Sequence, residues 1–193
     1  MPFETAEAAP PAETAADRLP GDPTARELVE RFIRVDHAGE YGAVRIYEGQ
    51  LAVLGRGPKA PILEHMKAQE EHHVATFSKL VARRRVRPTA LLPLWHVAGF
   101  ALGAVTAAMG ERAAMACTVA VEEAIDEHYQ SQYERLGTDE AELRGIIERF
   151  REEELEHRDI GLEHEAELAP AYRLMSAVIK AGCKVAIAVS ERV

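Results

Sequence analysis

The stretch EEELEHRDIGLEHE (residues 152–165) decides how the fold is interpreted. A charge run of this kind usually lies on a solvent-exposed helix face. Because an α-helix turns by about 100° per residue, the apolar stripe of the helix shows which of these side chains point inward. That stripe consists of Leu143, Ile147, Phe150 and Leu168. Glu154 and His157 fall within it, whereas Glu152 and Glu156 turn outward, so two residues of the run are predicted to be buried.

Composition favours one helical domain. The chain has 193 residues, of which 47% are hydrophobic, and this suits a single core. Long stretches rich in Ala, Leu, Glu and Arg favour helices, and few windows alternate with period two. We therefore predict an all-α protein. The formal net charge of -9 argues against nucleic acid as a partner, because phosphate binding needs a dominant basic surface.

The two cysteines, Cys117 and Cys183, lie in apolar surroundings without CxxC spacing. We expect two buried free thiols in a reducing compartment, and neither a disulfide framework nor a cysteine-ligated metal.

Helix-breaking residues divide the chain into long segments. Asp22-Pro23-Thr24 begins the first helix, and Gly55 ends it. We predict helices over about residues 24–54, 61–85, 112–136, 138–168 and 171–192. The segment ALLPLWHVAGFALGAVTAAMG (residues 90–110) carries no formal charge and joins the second and third of them. Four long helices with one long connection indicate a four-helix bundle with a crossover.

The other three bundle helices also place charged or titratable residues in their apolar stripes. Glu40 lies in the stripe of the first, Glu70 and His73 in that of the second, and Glu122 in that of the third. An unpaired carboxylate in an apolar core costs several kcal/mol or becomes protonated. Four inward-facing carboxylates and two histidines therefore need a common explanation.

The spacing of these six residues predicts a two-metal site. Each half of the chain reads Glu, then about thirty residues, then Glu-x-x-His. The six candidate metal ligands are Glu40, Glu70, His73, Glu122, Glu154 and His157. Residues i and i+3 are neighbours on a helix, and this set is typical of ferritin-like di-iron or di-manganese bundles. Two divalent ions would neutralise the four carboxylates, and the oxygen and nitrogen donors suit iron, or less well manganese, better than structural zinc.

Four motifs closely resemble the demethoxyubiquinone hydroxylases of ubiquinone biosynthesis. They are DHAGEYGA (36–43), QEEHH (69–73), AVEEAIDEHY (120–129) and ELEHRDIGLEHEAELAPAY (154–172), and the closing AGCKVAIAVSERV fits the same family. The resemblance covers about residues 26–193 and identifies the six candidates with the di-iron ligands of that family. It implies a monooxygenase with 3-demethoxyubiquinol 3-hydroxylase activity, which uses O2 to hydroxylate the ring of demethoxyubiquinone or demethoxyubiquinol.

The resemblance also implies two iron ions per chain and an external reductant, with NADH as the candidate. The sequence contains no G-x-G-x-x-G motif for a nicotinamide or flavin cofactor. Further residues are candidates to orient the ligands from outside the metal site, although ordinary structural hydrogen bonds are an open alternative for each. They are His37, Asp126, His128, Tyr129 and Asp159.

A polyprenyl quinone substrate is dissolved in the lipid bilayer, so the protein has to reach the membrane to bind it. Residues 90–110 are long enough to span a bilayer, but a span would place paired helices on opposite sides. We expect an interfacial helix or hairpin that dips into one leaflet, aided by the basic cluster of residues 83–87 and the C-terminal helix, so that residues 83–110 face anionic lipid. The alternatives are a crossover helix packed on the bundle and a homo-oligomer interface.

The N-terminal residues MPFETAEAAPPAETAADRLPGDP have neither a secretory-signal pattern nor the composition of a mitochondrial transit peptide. We expect a disordered tail over residues 1–22 and one ferritin-like di-iron domain over residues 23–193. A bacterial protein on the cytoplasmic side of the cell membrane is predicted, with lipid-presenting or other ubiquinone-biosynthesis proteins as candidate partners. The alternative functions are a peroxide-reducing or iron-handling ferritin-like protein and a non-catalytic quinone-binding scaffold.

Overall fold

A computed structural model describes Leu19 and residues 21–193. The tail expected over residues 1–22 falls almost wholly outside these described residues. The described part contains six α-helices and two short 3-10 turns: α1 (Ala25–Leu54), α2 (Ala60–Arg84), α3 (Leu92–Ala108), α4 (Glu111–Arg135), a turn at Thr138–Glu140, α5 (Ala141–Glu163), a turn at Ala166–Leu168, and α6 (Tyr172–Ser190). No strand occurs in this part of the chain, and the all-α prediction is confirmed.

Helix α1 begins at the predicted residue because of its capping residues. The Thr24 side chain accepts a hydrogen bond from the backbone N–H of Glu27, and the Glu27 carboxylate accepts one from the backbone N–H of Thr24 at 2.7 Å. This reciprocal capping box satisfies two donors that no helical carbonyl reaches. Gly55 follows the last residue of the helix, as predicted.

The predicted fourth helix, over residues 138–168, is too long. Its regular part, α5, ends at Glu163, and Glu165 adopts a left-handed backbone conformation with φ of 62°. A residue in that conformation cannot continue a right-handed helix, so the chain turns away before Pro170. Leu168 consequently lies in the second 3-10 turn and is 61% exposed. Its assignment to the buried stripe was wrong.

The four helices that carry the candidate ligands, α1, α2, α4 and α5, enclose two apolar clusters. One cluster includes Ile33, Phe77 and Phe150, and the other includes Met66 and Met115. On each of the four helices, the candidate ligands lie next to or between the residues of these clusters. The centre of the bundle is therefore polar, and apolar packing lies on both sides of it.

Helix α3 packs directly on α1 through glycines. A Cβ atom added at Gly103 would overlap the backbone of Ile46, and one added at Gly99 would lie 2.8 Å from the Gly42 carbonyl oxygen. Such close backbone approach is possible only without side chains. The segment that joins α2 and α4 thus packs on the bundle, which was one of the alternatives to membrane contact, while its outer face is exposed. None of the described helices combines the length and apolarity needed to cross a membrane.

Helix α6 packs on α4, on the same side of the bundle as α3. Lys184 forms an ion pair with Glu127 at 2.9 Å, and Lys180 forms one with Glu123. Cys117 is buried, but Cys183 is only partly buried, and both are free thiols. The expectation of full burial is thus wrong for Cys183, because α6 is an outer helix.

Candidate metal centre

The structure brings all six predicted ligands together in the middle of the bundle. Each has an exposed fraction of 0% or 1%. They are Glu40 from α1, Glu70 and His73 from α2, Glu122 from α4, and Glu154 and His157 from α5. The six residues predicted from the apolar stripes are therefore buried side by side.

The first half of the cluster surrounds His73. Its Nδ1 atom lies 3.2 Å from an oxygen of Glu40, 3.2 Å from Oε1 of Glu154 and 3.5 Å from Oε2 of Glu70. One imidazole nitrogen and three carboxylate oxygens thus face a common point. Mixed donors of this kind suit iron or manganese.

The second half surrounds His157 in the same way. Its Nδ1 atom lies 3.1 Å from Oε1 of Glu70, 3.4 Å from Oε2 of Glu154 and 4.0 Å from Oε1 of Glu122. Glu70 and Glu154 each direct one oxygen to His73 and the other to His157. The two four-residue groups therefore overlap in these carboxylates, and in each group the potential ligand atoms lie within 4.8 Å of one another.

Several buried atoms of the cluster lie close together but make no hydrogen bond of acceptable geometry. They include both carboxylate oxygens of Glu70, both of Glu154, Oε2 of Glu122 and Nδ1 of His157. An unsatisfied buried polar atom costs about 1–3 kcal/mol, and more when it is charged. These six atoms are potential metal ligands on adjacent residues, so the residues present fit two divalent cations.

Burial and mutual charge shift the pKa values of the cluster. Burial raises the pKa of Glu40 and of Glu122, and the neighbouring carboxylates add to this effect. Burial opposes ionisation of Glu70 too, but its contacts with His157 and His73 prevail and lower its pKa to about 2. Burial would lower the pKa of His157, yet the surrounding carboxylates raise it to about 10, and they raise that of His73 as well. Shifted pKa values that concentrate in one buried cluster are typical of a functional site.

Two tyrosines donate hydrogen bonds to the two non-shared carboxylates. The hydroxyl of Tyr129 donates to Glu40, and that of Tyr47 donates to Glu122 at 2.8 Å. Burial and the adjacent carboxylate charge raise the pKa of both tyrosines, so they remain donors. Tyr129 was a predicted orienting residue. Tyr47 was not predicted to contact a ligand, and its position two helical turns after Glu40 was the available signal.

The outer nitrogen of each histidine also has a partner. Nε2 of His73 lies 2.7 Å from Oε2 of Glu153, and Nε2 of His157 lies 3.0 Å from Oε1 of Gln69. Neither partner was predicted from the sequence. Their common feature is visible in the sequence, because each directly precedes the Glu of one Glu-x-x-His motif.

The other four predicted orienting residues contact different partners. Within the described chain, His37 contacts Ser78, Asp126 contacts Arg151, His128 contacts Asp36 and Gln132, and Asp159 contacts Arg158. None of these contacts reaches one of the six clustered residues. Asp159 is moreover exposed, so the structure separates these four from Tyr129.

An apolar groove lies between α1, α3, α4 and α6, and none of the six clustered residues lines it. Its volume is about 410 Å³. Its walls include Gly39, Gly42, Trp95, Val121, Ile179 and Gly182. A Cβ atom added at Gly39 or Gly42 would meet no atom within 4 Å, so these glycines leave the groove open where α1 borders it.

A family model described as "Ubiquinone biosynthesis protein COQ7" matches residues 27–190. The chain belongs to this family. The family predicted from the motifs is thereby confirmed, as is the prediction of an enzyme, a hydroxylase of ubiquinone biosynthesis.

The similarity extends from bacteria to animals and fungi. A 3-demethoxyubiquinol 3-hydroxylase of Rhodospirillum rubrum is 66% identical over 182 residues, which is 94% of this chain and 86% of that protein. The human NADPH-dependent 3-demethoxyubiquinone 3-hydroxylase, mitochondrial, is 56% identical over 89% of this chain and 81% of its own length. The 5-demethoxyubiquinone hydroxylase of Saccharomyces cerevisiae is 43% identical over 86% of this chain and 78% of its own length.

Proposed function

We propose that this protein is a membrane-associated di-iron monooxygenase that hydroxylates the ring of demethoxyubiquinol with O2 in ubiquinone biosynthesis. The observation that carries the proposal is the pair of overlapping carboxylate–histidine groups that share Glu70 and Glu154. The names of the relatives supply the substrate.

The two ions would occupy corresponding positions. Glu40 and His73 would hold one, Glu122 and His157 would hold the other, and the shared carboxylates would bind both. Two bound ferrous ions would supply the reduction of O2 that ring hydroxylation requires. The chain's own contribution is to fix these ligands, to neutralise charge and to exclude water. Electrons would come from an external nicotinamide, NADH as expected from the resemblance or NADPH as in the name of the human relative.

The apolar groove would hold the quinone. Its walls offer almost no polar groups to a ligand, which matches a polyprenyl tail and a ring that must stay away from water. Gly39 lines the groove and directly precedes Glu40, and Val121 likewise precedes Glu122. The groove therefore runs along the other side of the two helices that carry these ligands.

The outer faces of α3 and α6 would lie on the membrane. Val97 on α3 is 65% exposed, and Leu174 and Val178 on α6 are 67% and 62% exposed. Arg85 and Arg87, between α2 and α3, are exposed as well, whereas Arg83 at the end of α2 is paired with Glu142 at 2.6 Å. Exposed apolar side chains next to basic ones are typical of helices that lie in the interface of an anionic bilayer. The substrate would enter the groove from that side, on the cytoplasmic face of a bacterial membrane.

Labelled oxygen tests the reaction directly. The purified protein is loaded with ferrous iron without air and mixed with reduced demethoxyubiquinone. Labelled O2 is then admitted, and the quinone is analysed by mass spectrometry. We expect one labelled oxygen atom on the ring. Iron oxidation with an unchanged ring, in a sample shown to hold two irons per chain, would refute the proposal in favour of an iron-handling role.

Two variants test the groove against a matched control. Gly42→Leu fills open space in the groove and should lower turnover by roughly 100-fold, because the ring is displaced by more than about 1 Å, while two irons remain bound. Gly145→Leu places the same side chain on the exposed face of α5, where an added Cβ also meets no atom, and should keep normal turnover. Equal turnover in both variants would show that the quinone binds elsewhere.

A further inference from the structure

The residues that precede the two Glu-x-x-His motifs form a reciprocal pair of contacts. Glu153 precedes Glu154 on α5 but contacts His73 on α2, and Gln69 precedes Glu70 on α2 but contacts His157 on α5. The two contacts therefore correspond to each other, just as the ligands in the two halves of the cluster do. They differ in chemistry, because one partner is a carboxylic acid side chain and the other is an amide.

The rest of the environment is closely matched between the halves. Each histidine directs Nδ1 toward the shared carboxylates and is 0% exposed. Each non-shared carboxylate accepts a hydrogen bond from one tyrosine, Tyr129 for Glu40 and Tyr47 for Glu122. The contacts of histidine Nε2 therefore differ in the chemical type of the partner, whereas those of Nδ1 with the non-shared carboxylate differ in length, 3.2 Å to Glu40 and 4.0 Å to Glu122.

The two partners have different effects on a metal-bound imidazole. When Nδ1 binds a cation, Nε2 carries the proton and donates it to the partner. A carboxylate acceptor forms a shorter and stronger hydrogen bond than an amide oxygen does, in line with 2.7 Å to Glu153 and 3.0 Å to Gln69. The stronger acceptor increases the electron density of the ring, which makes the imidazole a better ligand.

We infer that Glu153 and Gln69 are positioning residues that make the two metal positions unequal, so that the position at His73 binds its ion more tightly and fills first. This inference rests on the metal centre of the proposed function and not on its substrate. An ordered filling gives the centre two distinct irons, one held by a more electron-rich imidazole than the other.

Exchange of the two side chains provides a complete set of variants. Glu153→Gln gives both histidines an amide partner, and Gln69→Glu gives both a carboxylate. In the double variant Glu153→Gln/Gln69→Glu, one histidine again has a carboxylate partner and the other an amide, but the carboxylate now lies at His157 and the amide at His73. All three exchanges nearly preserve side-chain volume. Each single exchange changes the charge beside the centre by one unit, whereas the double variant keeps the charge of the wild type and is therefore the decisive comparison.

The readout is Mössbauer spectroscopy of the protein loaded without air with one or two equivalents of isotopically enriched ferrous iron. We expect two distinct quadrupole doublets in the wild type, with one of them dominant at one equivalent. The doublets should converge in both single variants. In the double variant they should separate again, and the affinity for the first ion should return. Second partners of metal-bound histidines typically change metal affinity by about 10–100-fold, so manganese titrations should show losses of that order in Glu153→Gln.

The outcomes separate this inference from the proposed function. If the wild type gives two identical irons, or if Glu153→Gln leaves two distinct doublets, the inequality is refuted while the di-iron centre stands. If the wild type binds fewer than two irons, the centre itself is refuted. A purely structural role of Glu153 predicts lower thermal stability in the single and double variants alike, with no return of the second doublet in the double variant.

Discussion

The packing of α3 on α1 can be tested with a single added methyl group. Gly103→Ala places a Cβ atom within 2.8 Å of the carbonyl carbon and 3.0 Å of the Cα atom of Ile46, and it overlaps the carbonyl oxygen. Backbone atoms cannot rotate away as a side-chain end can. The two helices must therefore separate locally by on the order of 1 Å, which forfeits a quarter to a half of the dispersion energy of each affected contact.

The expected magnitude follows from two opposing effects. Overpacking of a tight interface costs typically about 1–3 kcal/mol, whereas Gly-to-Ala replacement within a helix gains about 1 kcal/mol in propensity. Gly145→Ala on α5 is the matched control, because its Cβ meets no atom within 4 Å and only the gain applies. The unfolding free energy of Gly145→Ala should thus be about 1–3 kcal/mol higher than that of Gly103→Ala. For a chain of this size, this corresponds to a melting temperature that is about 2–12 °C higher.

The assay is thermal and denaturant unfolding of both variants, followed by circular dichroism without detergent or lipid. A lower melting temperature for Gly103→Ala together with a raised one for Gly145→Ala supports the packed arrangement. If both variants are stabilised alike, α3 does not pack on α1 in solution, and the groove between them does not exist in the lipid-free protein.

Three further predictions concern the metal centre and the core. Tyr47→Phe removes the donor to Glu122 and should weaken manganese binding by roughly 10-fold, as measured by titration; unchanged affinity would show that this hydrogen bond does not orient the ligand. Manganese at about 100 times its dissociation constant should stabilise the fold by about 2.7 kcal/mol, seen as a higher melting temperature that Glu154→Ala lacks; an equal rise in that variant would place the ion elsewhere. Phe77→Ala, at a residue that is 0% exposed, should cost about 3–5 kcal/mol in urea unfolding. The exposed Val53→Ala should change stability by less than about 0.5 kcal/mol, and similar losses would contradict the assigned core.

Helical periodicity was sufficient to find the six clustered residues because each had to share a face with apolar neighbours. Glu70 and His73 could be separated from the adjacent Glu71 and His72 by their angular position alone, and the structure buries the first two and exposes the other two. Periodicity carries less information near helix ends. The left-handed conformation of Glu165 is set by the local turn, and nothing in the stripe of Leu143 and Phe150 revealed it.

Contacts between helices could not be predicted from the sequence, because they depend on how the faces of neighbouring helices pack together. The partners Glu153 and Gln69 bind histidines on the opposite helix, and no spacing within α2 or α5 specifies that crossing. Gly99 and Gly103 are four residues apart, a spacing that permits close helix contact. Their partner surface on α1 became apparent only in the structure.

The motif DHAGEYGA (residues 36–43) has two roles that the helix geometry separates. Glu40 belongs to the candidate metal centre, whereas Gly39, Gly42 and Ala43 border the groove. Successive residues of a helix point about 100° apart, so one turn of α1 forms a wall of both compartments. Small residues are needed on the groove side because a larger side chain there would occupy the space proposed for the quinone. A ferritin-like protein that only stores or oxidises iron needs the glutamate but has no such need for the glycines. The glycines beside Glu40 therefore favour the hydroxylase over the iron-handling alternative, independently of the ligands that both functions share.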